Sequence, residues 1–486
     1  MMGMAKDGRT ERLLIFALLL EFLAMIAVQL FAIPFHTSRN YNEGWNAYFS
    51  QAALHGGVLY PTVDSMAENN YPPLSFYIVG AVGWIVGDNI VGGRLIEVIS
   101  LCVIAGNIFK LSRWLGAERR LASLAVGVFL LGTYTLMPDY IAIDDPHFLA
   151  YAFATTAALL FLKAEGPNLW VNTLLSAALI VLAGFMKHSV ISLPIALCIW
   201  AAIYDRRRLR VFLISGFAVS LLACTGAYLG WGQAMVHSVL FSHRQSWLKR
   251  SALLMLRDLP FLVPYVIMTI LGWLMLRTHR AVFVLLYVAC SLFNGFWMLS
   301  GAGVNQNVML DAVIALALGS TAFVMGLSDL SKQRGWVRHR MHLLATLFVA
   351  IPCAVTGFYA YLSNPSVRDI ASIIDAPQWE KLSGTLSLSH GDVACETLAV
   401  CYWAHKPLEI DFFNYGQKLF TGSVYANARS GFFDKVTRKS YAYIVIEKDS
   451  LESHRLPQFL MDALFENYKP VQLFAKNQLL LVPRSR

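Results

Sequence analysis

The segment Leu74-Ser75-Phe76-Tyr77-Ile78-Val79-Gly80-Ala81-Val82-Gly83-Trp84-Ile85-Val86-Gly87 decides how this chain is threaded. It is apolar, glycine-rich and short: a helix of this length rises roughly 20 Å, against a bilayer core of about 30 Å. If it crosses a membrane, every later connection changes sides. Around it lie eleven longer apolar stretches, at 12–34, 93–110, 121–138, 147–163, 170–186, 189–204, 210–229, 259–276, 281–299, 308–326 and 342–363. Runs of this kind fit bilayer-crossing helices. Of 486 residues, 57% are hydrophobic and 14% charged, with a mean hydropathy of +0.54. The chain reads as an all-α polytopic membrane protein. Its first run, flanked by Lys6, Arg9 and Arg12, is too long for a signal-peptide core and lacks a small-residue cleavage site. It reads as a retained first helix.

Lys and Arg collect in cytoplasmic loops, so their distribution decides whether 74–87 crosses. If it does not cross, and the N-terminus is inside, loop Lys and Arg divide 18 inside to 7 outside. If it crosses, the division is 9 to 16. The first arrangement obeys the rule, so 74–87 is expected to be re-entrant or interfacial. About eleven spans remain, with the N-terminus in and the C-terminus out. Glu43, Asp144, Asp145 and Lys187 then share the outer side with the loop 230–258. The net charge of +9 is largely this topological bias. No basic stretch is interleaved with aromatics in a soluble segment, so nucleic acid is not an expected partner.

Beyond 364 the apolar runs stop. The sequence predicts a small α/β domain over 364–486, following the membrane domain 1–363. Its expected elements are a strand near Thr385–Ser389, a helix near Cys395–His405, a strand at Leu408–Asp411 and a helix after Phe412. A strand at Tyr441–Glu447, a helix over Leu456–Tyr468 and a last strand at Gln478–Val482 complete it. Five of the seven cysteines lie in apolar runs; Cys395 and Cys401 lie in the tail. In an oxidising compartment these two can pair, although a spacing of six on one helix opposes a bridge.

Ionisable residues at the mouths of membrane spans are costly and usually functional. Glu43, in Asn42-Glu43-Gly44-Trp45-Asn46-Ala47-Tyr48, is either a helix-capping acid or a partly dehydrated general base. Asp144-Asp145-Pro146 opens the span at 147. One aspartate suits an N-cap before proline. Two adjacent ones can position an acceptor hydroxyl, bind Mg or Mn, or orient a cationic group. Lys187 and His188 interrupt two apolar runs, and His243-Arg244-Gln245 opens a second outer basic cluster. Lys and Arg suit phosphate; attraction to anionic lipid headgroups is the plainer reading. Gly301-Ala302-Gly303-Val304-Asn305-Gln306-Asn307 places Asn305 and Asn307 where amides can read sugar hydroxyls, or is simply a turn. There is no Walker loop and no Cys/His zinc spacing.

Taken in order, these motifs resemble the GT-C glycosyltransferases, and within them the bacterial relatives of protein O-mannosyltransferases and of the lipid A aminoarabinose transferase. The carrying residues are Asn42-Glu43, Tyr71-Pro72-Pro73-Leu74, Gly92-Gly93-Arg94, Asp144-Asp145-Pro146 and Lys187. The resemblance covers about 1–326 in architecture. The tail, with AHKPLEIDFF (404–413) and LLLVP (479–483), is similar to uncharacterised bacterial members. The family's acidic pair commonly begins with Asp, which is Asn42 here, leaving Glu43. Its charged residue before Pro-Pro-Leu is Tyr71 here. The resemblance implies an inverting hexosyl- or pentosyltransferase of the bacterial cell envelope, multi-pass in the inner membrane with its tail outside. The donor would be a polyprenyl-phosphate-linked sugar; the acceptor would be a glycan such as a polysaccharide, a lipid or a protein. Glu43 would be the base with Asp145, or Asp144, as its partner. Lys187, Arg244 and Arg94 would face the donor phosphate, and Tyr71, His188, Asn305 and Asn307 the substrate.

Two other readings fit the composition. A flippase or carrier for a lipid-linked or anionic substrate would use the outer basic residues as an entrance. Transporters usually show repeated halves and acids near mid-membrane; Glu21 and Glu97 are the main acids within runs, and no repeat is visible. A polysaccharide polymerase or ligase would use the 243–250 loop.

Overall fold

A segment inside a bilayer must satisfy its own backbone hydrogen bonds, and a helix does so. The computed structural model describes residues 2–242, 244–334, 338–363, 373–422, 431–448 and 456–485. Its bundle runs α1 (Met2–Phe31), α2 (Tyr41–His55), α3 (Leu74–Val86), α4 (Asn89–Leu115), α5 (Arg119–Leu136), α6 (His147–Lys163) and α7 (Leu169–Met186). It continues with α8 (Ser192–Tyr204), α9 (Arg206–Leu240), α10 (Leu248–Leu276), α11 (His279–Met298), α12 (Leu310–Gln333) and α13 (Arg338–Ser363). Among the described residues, eight helices are long and apolar enough to cross a membrane: α1, α4, α7 and α9 to α13. The other three expected crossings are bundle helices of lesser length or greater polarity. α6 and α8 have 17 and 13 residues, and α5 begins on Arg119-Arg120. α12 is buried almost throughout and packs against α4, α5, α10, α11 and α13.

The deciding segment is α3, a helix of 13 residues. It folds back on α4 across Gly87-Asp88 and packs against α2 and α4. The approach requires glycine: a Cβ on Gly83 would lie 2.0 Å from Asn89 Oδ1. Phe76 and Val79 are buried, while Trp84 and Ile85 are exposed. At 13 residues this arm is not among the helices long enough to cross a membrane. The connections α1–α2, α5–α6, α7–α8, α9–α10 and α11–α12 therefore gather at one end of the bundle, with the tail. Basic residues close the other end by donating to helix-end carbonyls. Arg208 bonds Phe161 O at 2.9 Å and Ala164 O at 2.7 Å, and Arg280 bonds Trp114 O at 2.5 Å.

The tail contains α14 (Ala376–Ser387), β1 (Asp392–Cys395), α15 (Leu398–Trp403), α16 (Phe412–Phe420), α17 (Phe432–Thr437), β2 (Tyr441–Glu447), α18 (Gln458–Asn467), β3 (Tyr468–Phe474) and β4 (Gln478–Pro483). The sheet order is β1-β2-β4-β3; β1 and β2 are parallel and the other pairs antiparallel. Three elements differ from expectation. Thr385–Ser387 ends a helix, because Trp379, Leu382 and Leu386 recur at helical spacing and are buried. No strand forms at Leu408–Asp411; Asp411 instead caps α16, accepting from Asn414 N at 2.9 Å. The segment Cys395–His405 is not one helix: Cys395 ends β1 and Cys401 lies on α15. That separation brings their Cα atoms to 5.9 Å, and the two are disulfide-bonded. β3 escapes sequence reading because it is an edge strand carrying Pro470, with only its end residues buried. The expected domain boundary at 363/364 adjoins 364–372, which lie outside the described residues.

The tail docks directly on the motif that carries Glu43. α15 packs against α2, and a Cβ on Gly44 would lie 2.0 Å from Ala399 N and 2.5 Å from Leu398 C. Tyr48 OH donates to Lys406 O at 2.7 Å, and Trp403 Nε1 to Asp88 at 2.9 Å. Backbone cannot yield to a methyl group without moving its element, and such overpacking costs about 1–3 kcal/mol. Gly44→Ala is therefore expected to loosen the tail. Limited proteolysis should release a tail fragment faster than from the unaltered protein; unchanged digestion would show that the contact yields.

Candidate active site

At the tail-bearing end, Asn40 begins the site. Its side chain accepts from Asn42 N at 3.0 Å and caps α2, a role the sequence left open for Glu43. α2, the turn before α3, the start of α6, the α7–α8 turn, Ser242, Arg244, the 297–308 segment and α16 enclose a cavity of about 620 Å³. Among the described residues its lining includes Lys187 and Arg244, His147 and His188, Tyr71, Asn305 and Asn307, and no carboxylate. Six of the expected residues thus meet in one place: Lys187, Arg244, Tyr71, His188, Asn305 and Asn307. Glu43, Asp144, Asp145 and Arg94 lie behind the wall, each almost wholly buried.

Asp145 stands directly behind the lining. Its Oδ2 accepts from Asn42 Nδ2 at 2.8 Å, and its Oδ1 accepts from His147 N at 3.1 Å and faces Lys187 Nζ at 3.5 Å. His147 Nδ1 lies 3.6 Å from the same oxygen and 3.4 Å from Asn307 Nδ2. Burial alone would raise the pKa of Asp145, but Lys187 and the His147 contacts hold the carboxyl well below the usual carboxylate range. Burial opposes the charge of Lys187, yet Asp145 outweighs it and raises the lysine pKa. Lys187 also sits 3.7 Å above the Tyr71 ring, a cation–π contact where a charged residue was expected. His188 is pulled down to about 4 by burial and by Lys187, so it is neutral near pH 7.

Asp145 shares the capping of α6 with Glu97 of α4, whose oxygens accept from Phe148 N at 2.9 Å and Leu149 N at 3.3 Å. Glu97 fills the orphan-donor role at a helix start, so this acid inside an apolar run has a structural use.

Glu43 and Arg94 are not placed as the sequence suggested. Arg94 Nε reaches Glu43 Oε1 at 2.6 Å and Nη2 reaches Oε2 at 3.0 Å, with both side chains fully enclosed. The other Arg94 donors go to Ile33 O and Phe35 O, both at 2.9 Å, and to Thr37 O at 2.7 Å. Arg39 N completes the shell of Glu43 at 2.8 Å. Burial would raise the pKa of Glu43, but Arg94 and Arg39 outweigh it and lower it. Glu43 is thus not a partly dehydrated acid with a raised pKa, and Arg94 has no guanidinium donor turned to the cavity. The physical reason is the bidentate fork of arginine, which satisfies one carboxylate and several carbonyls together. Asp144 is buried beside this pair. Burial and the nearby charges of Glu43 and Asp145 push its pKa well above the ordinary value.

A Mg or Mn ion would have to draw on Asp144 and Asp145, and both oxygens of Asp145 already have protein partners. Among the described residues no three His, Cys, Asp or Glu side chains converge as a metal site.

The tail enters the site through α16. Phe413 and Asn414 line the cavity. Arg244 Nη2 donates to Asn414 Oδ1 at 3.3 Å, and its guanidinium carbon lies 5.5 Å from the Phe413 ring centre. Lys418 bonds Glu68 at 3.2 Å, and Tyr41 OH bonds Asp411. His243 lies outside the described residues. A second cavity of about 550 Å³ adjoins the first and shares Asn40, Tyr140 and Asn305 with it. Two of these shared residues are bonded, Asn305 Nδ2 donating to Tyr140 OH at 3.1 Å.

Sequence reading missed His147, Tyr140, Phe413 and Asn414, and treated Asn42 only as a lost acid. His147 carried a usable signal, since an aspartate two residues before a helix-start histidine can take its N–H. Asn414 carried none, because 170 residues separate it from Arg244.

A membrane helix bundle with juxtamembrane helices α2 and α3, a polar cavity at one end and a terminal sheet domain over it has the GT-C fold. Solved glycosyltransferases share that architecture. ArnT from Cupriavidus metallidurans bound to undecaprenyl phosphate matches with a TM-score of 0.61 and 12% identity, over 96% of this chain and 97% of that one. Its apo state gives 0.62 and 12%, over 95% and 97%. The Archaeoglobus fulgidus oligosaccharyltransferase in the apo form gives 0.53 and 10%, over 92% of this chain and 73% of that one. At these identities the likeness is one of fold. No protein-family model matches the sequence, and no curated protein matches it.

Proposed function

We propose that this protein is a membrane glycosyltransferase that takes a sugar from a polyprenyl-phosphate carrier and passes it to an acceptor hydroxyl. One observation carries the reading: the 620 Å³ cavity joins two cations, Lys187 and Arg244, to a histidine backed by a carboxylate. The undecaprenyl phosphate bound to the similar ArnT supports the choice of donor. The cavity end faces away from the cytoplasm, because the opposite end gathers 18 of the loop Lys and Arg residues. The membrane is the inner membrane of a bacterium, and the acceptor is a glycan, lipid or protein.

The roles follow from position. His147 lines the cavity, and its Nε2 is buried in the wall without a hydrogen-bond partner. It takes the acceptor proton, with Asp145 orienting the ring and stabilising the imidazolium that forms. The acceptor oxygen bonds to the anomeric carbon from the face opposite the phosphate, and the carbon–oxygen bond to phosphate breaks with inversion. The bonding pair leaves on the lipid phosphate, beside Lys187 and Arg244, so no general acid is needed. Glu43 and Arg94 position α2 and the end of α1.

The test is transfer itself. Purified protein is given undecaprenyl phosphate bearing a radiolabelled sugar, with an acceptor extract. Label on a new covalent product supports a transferase. Label that crosses a proteoliposome membrane unchanged points to a carrier instead. Lys187→Ala should weaken donor binding about tenfold or more, as loss of a buried phosphate contact does. An unchanged donor affinity would remove Lys187 from the phosphate site.

A further inference from the structure

We propose that Asp411 of the tail is a positioning residue: acting through Asn414, it holds Arg244 at the cavity, so that the tail sets the place of one of the two phosphate cations. This rests on the reading of the cavity as a donor site. The two cations are held differently. Lys187 is anchored within the bundle by Asp145, at 3.5 Å. Arg244 lies on the connection between α9 and α10, in no helix or strand. The backbone beside it meets the bundle at Ala302, whose N donates to Gln245 O at 2.8 Å. The guanidinium is met by α16: Asn414 Oδ1 accepts from Arg244 Nη2 at 3.3 Å, and the Phe413 ring centre lies 5.5 Å from the guanidinium carbon. One turn further along, Gln417 Oε1 accepts from Gln245 N at 3.1 Å. Residues three and four apart share a helix face, so one face of α16 grips the segment.

Asp411 decides which end of the Asn414 amide Arg244 meets. Asn414 Nδ2 donates to Asp411 Oδ2 at 2.5 Å, which leaves Oδ1 as the acceptor turned to Arg244. A flipped amide would set oxygen against carboxylate and NH2 against guanidinium, and neither pair can bond. Asp411 is wholly buried and takes donors from Tyr41 OH, Asn414 N and Asn414 Nδ2, a set that matches the acceptor-only oxygens of a carboxylate. Burial raises its pKa above the ordinary 3.8, with these bonds and the Arg244 charge opposing.

The experiment measures the affinity of the purified full-length protein for labelled undecaprenyl phosphate. Asp411→Asn keeps the size of the side chain and an oxygen to cap α16. It turns NH2 toward Asn414, whose amide must then flip and present its own NH2 to Arg244. Donor affinity should fall about tenfold or more, the scale of one hydrogen bond to a charged group. Loss of a negative charge beside Arg244 would by itself tighten anion binding, so a fall reads geometry and not charge. In an Arg244→Gln background the same substitution should change affinity less than about twofold. An equal loss in both backgrounds would show that Asp411 acts on the fold alone, and would overturn the inference. So would unchanged or tighter binding in Asp411→Asn. If that variant does not fold, Asn414→Ala, which leaves the Asp411 side chain in place, is read by the same outcomes. Arg244→Gln binding as tightly as the parent would overturn this inference and leave Lys187 as the donor cation. Failure of the parent protein to bind the lipid would instead remove the donor reading, and this inference with it.

Discussion

His147→Gln is expected to lower sugar transfer by about 10²–10⁴-fold, the range for loss of a positioned general base. Glutamine keeps a polar group near Asn307 and adds no charge, so the melting temperature should barely move. Donor affinity should also hold, because Lys187 and Arg244 are untouched. The loss should therefore sit in kcat rather than in donor binding. Asp145 acts through the same ring, so the double variant His147→Gln/Asp145→Asn should transfer little more slowly than His147→Gln alone. Full activity in His147→Gln would move the base elsewhere. A multiplicative double variant would separate Asp145 from the histidine.

Arg94→Ala is expected to be the most destabilising substitution in the bundle. It strips a fully buried Glu43 of its counter-charge, and breaking such a pair costs about 3–5 kcal/mol. It also orphans the carbonyls of Ile33, Phe35 and Thr37, which hold the end of α1. Glu43→Gln should cost less, since an amide can still accept from Arg94 and Arg39 N. Its acid response differs as well. The folded-state pKa of Glu43 lies below its ordinary 4.5, so the pair's contribution is fully present above about pH 4.5 and is lost as pH falls through the lowered value. Glu43→Gln lacks that acid limb. Thermal unfolding of detergent-solubilised protein, followed from about pH 7 down to about pH 3 across the carboxylate range, would show it. An Arg94→Ala variant as stable as the parent would mean the pair is not structural.

The two sets of residues show what sequence could and could not convey. Which loops share one end of the bundle was legible, because loop charge is a sum over many positions and one error does not overturn it. That sum brought Lys187, Arg244, Asn305 and Asn307 to one end, where a single cavity collects them. The function of an individual acid was not legible. Glu43 and Asp145 both sit at the mouths of helices and differ only in what stands opposite them. Arg94 is 51 positions from Glu43, and its fork closes on that acid; Asn42 and Lys187 leave Asp145 against the cavity wall. In the tail, β2, β4 and α18 were legible from apolar periodicity. α14 and β3 were not: α14 has its apolar spacing over a mostly polar helix whose end was read as a strand, and β3 is an edge strand whose middle faces solvent.

The wall shared by the two cavities has a kinetic meaning under the proposed reaction. Asn305 and Tyr140, joined by a hydrogen bond, line both chambers. An acceptor approaching through the second chamber need not wait for the lipid carrier to leave the first, where the acceptor hydroxyl meets His147. Both reactants can then be held at once, and the sugar passes directly between them. The enzyme never has to carry the sugar on its own side chains.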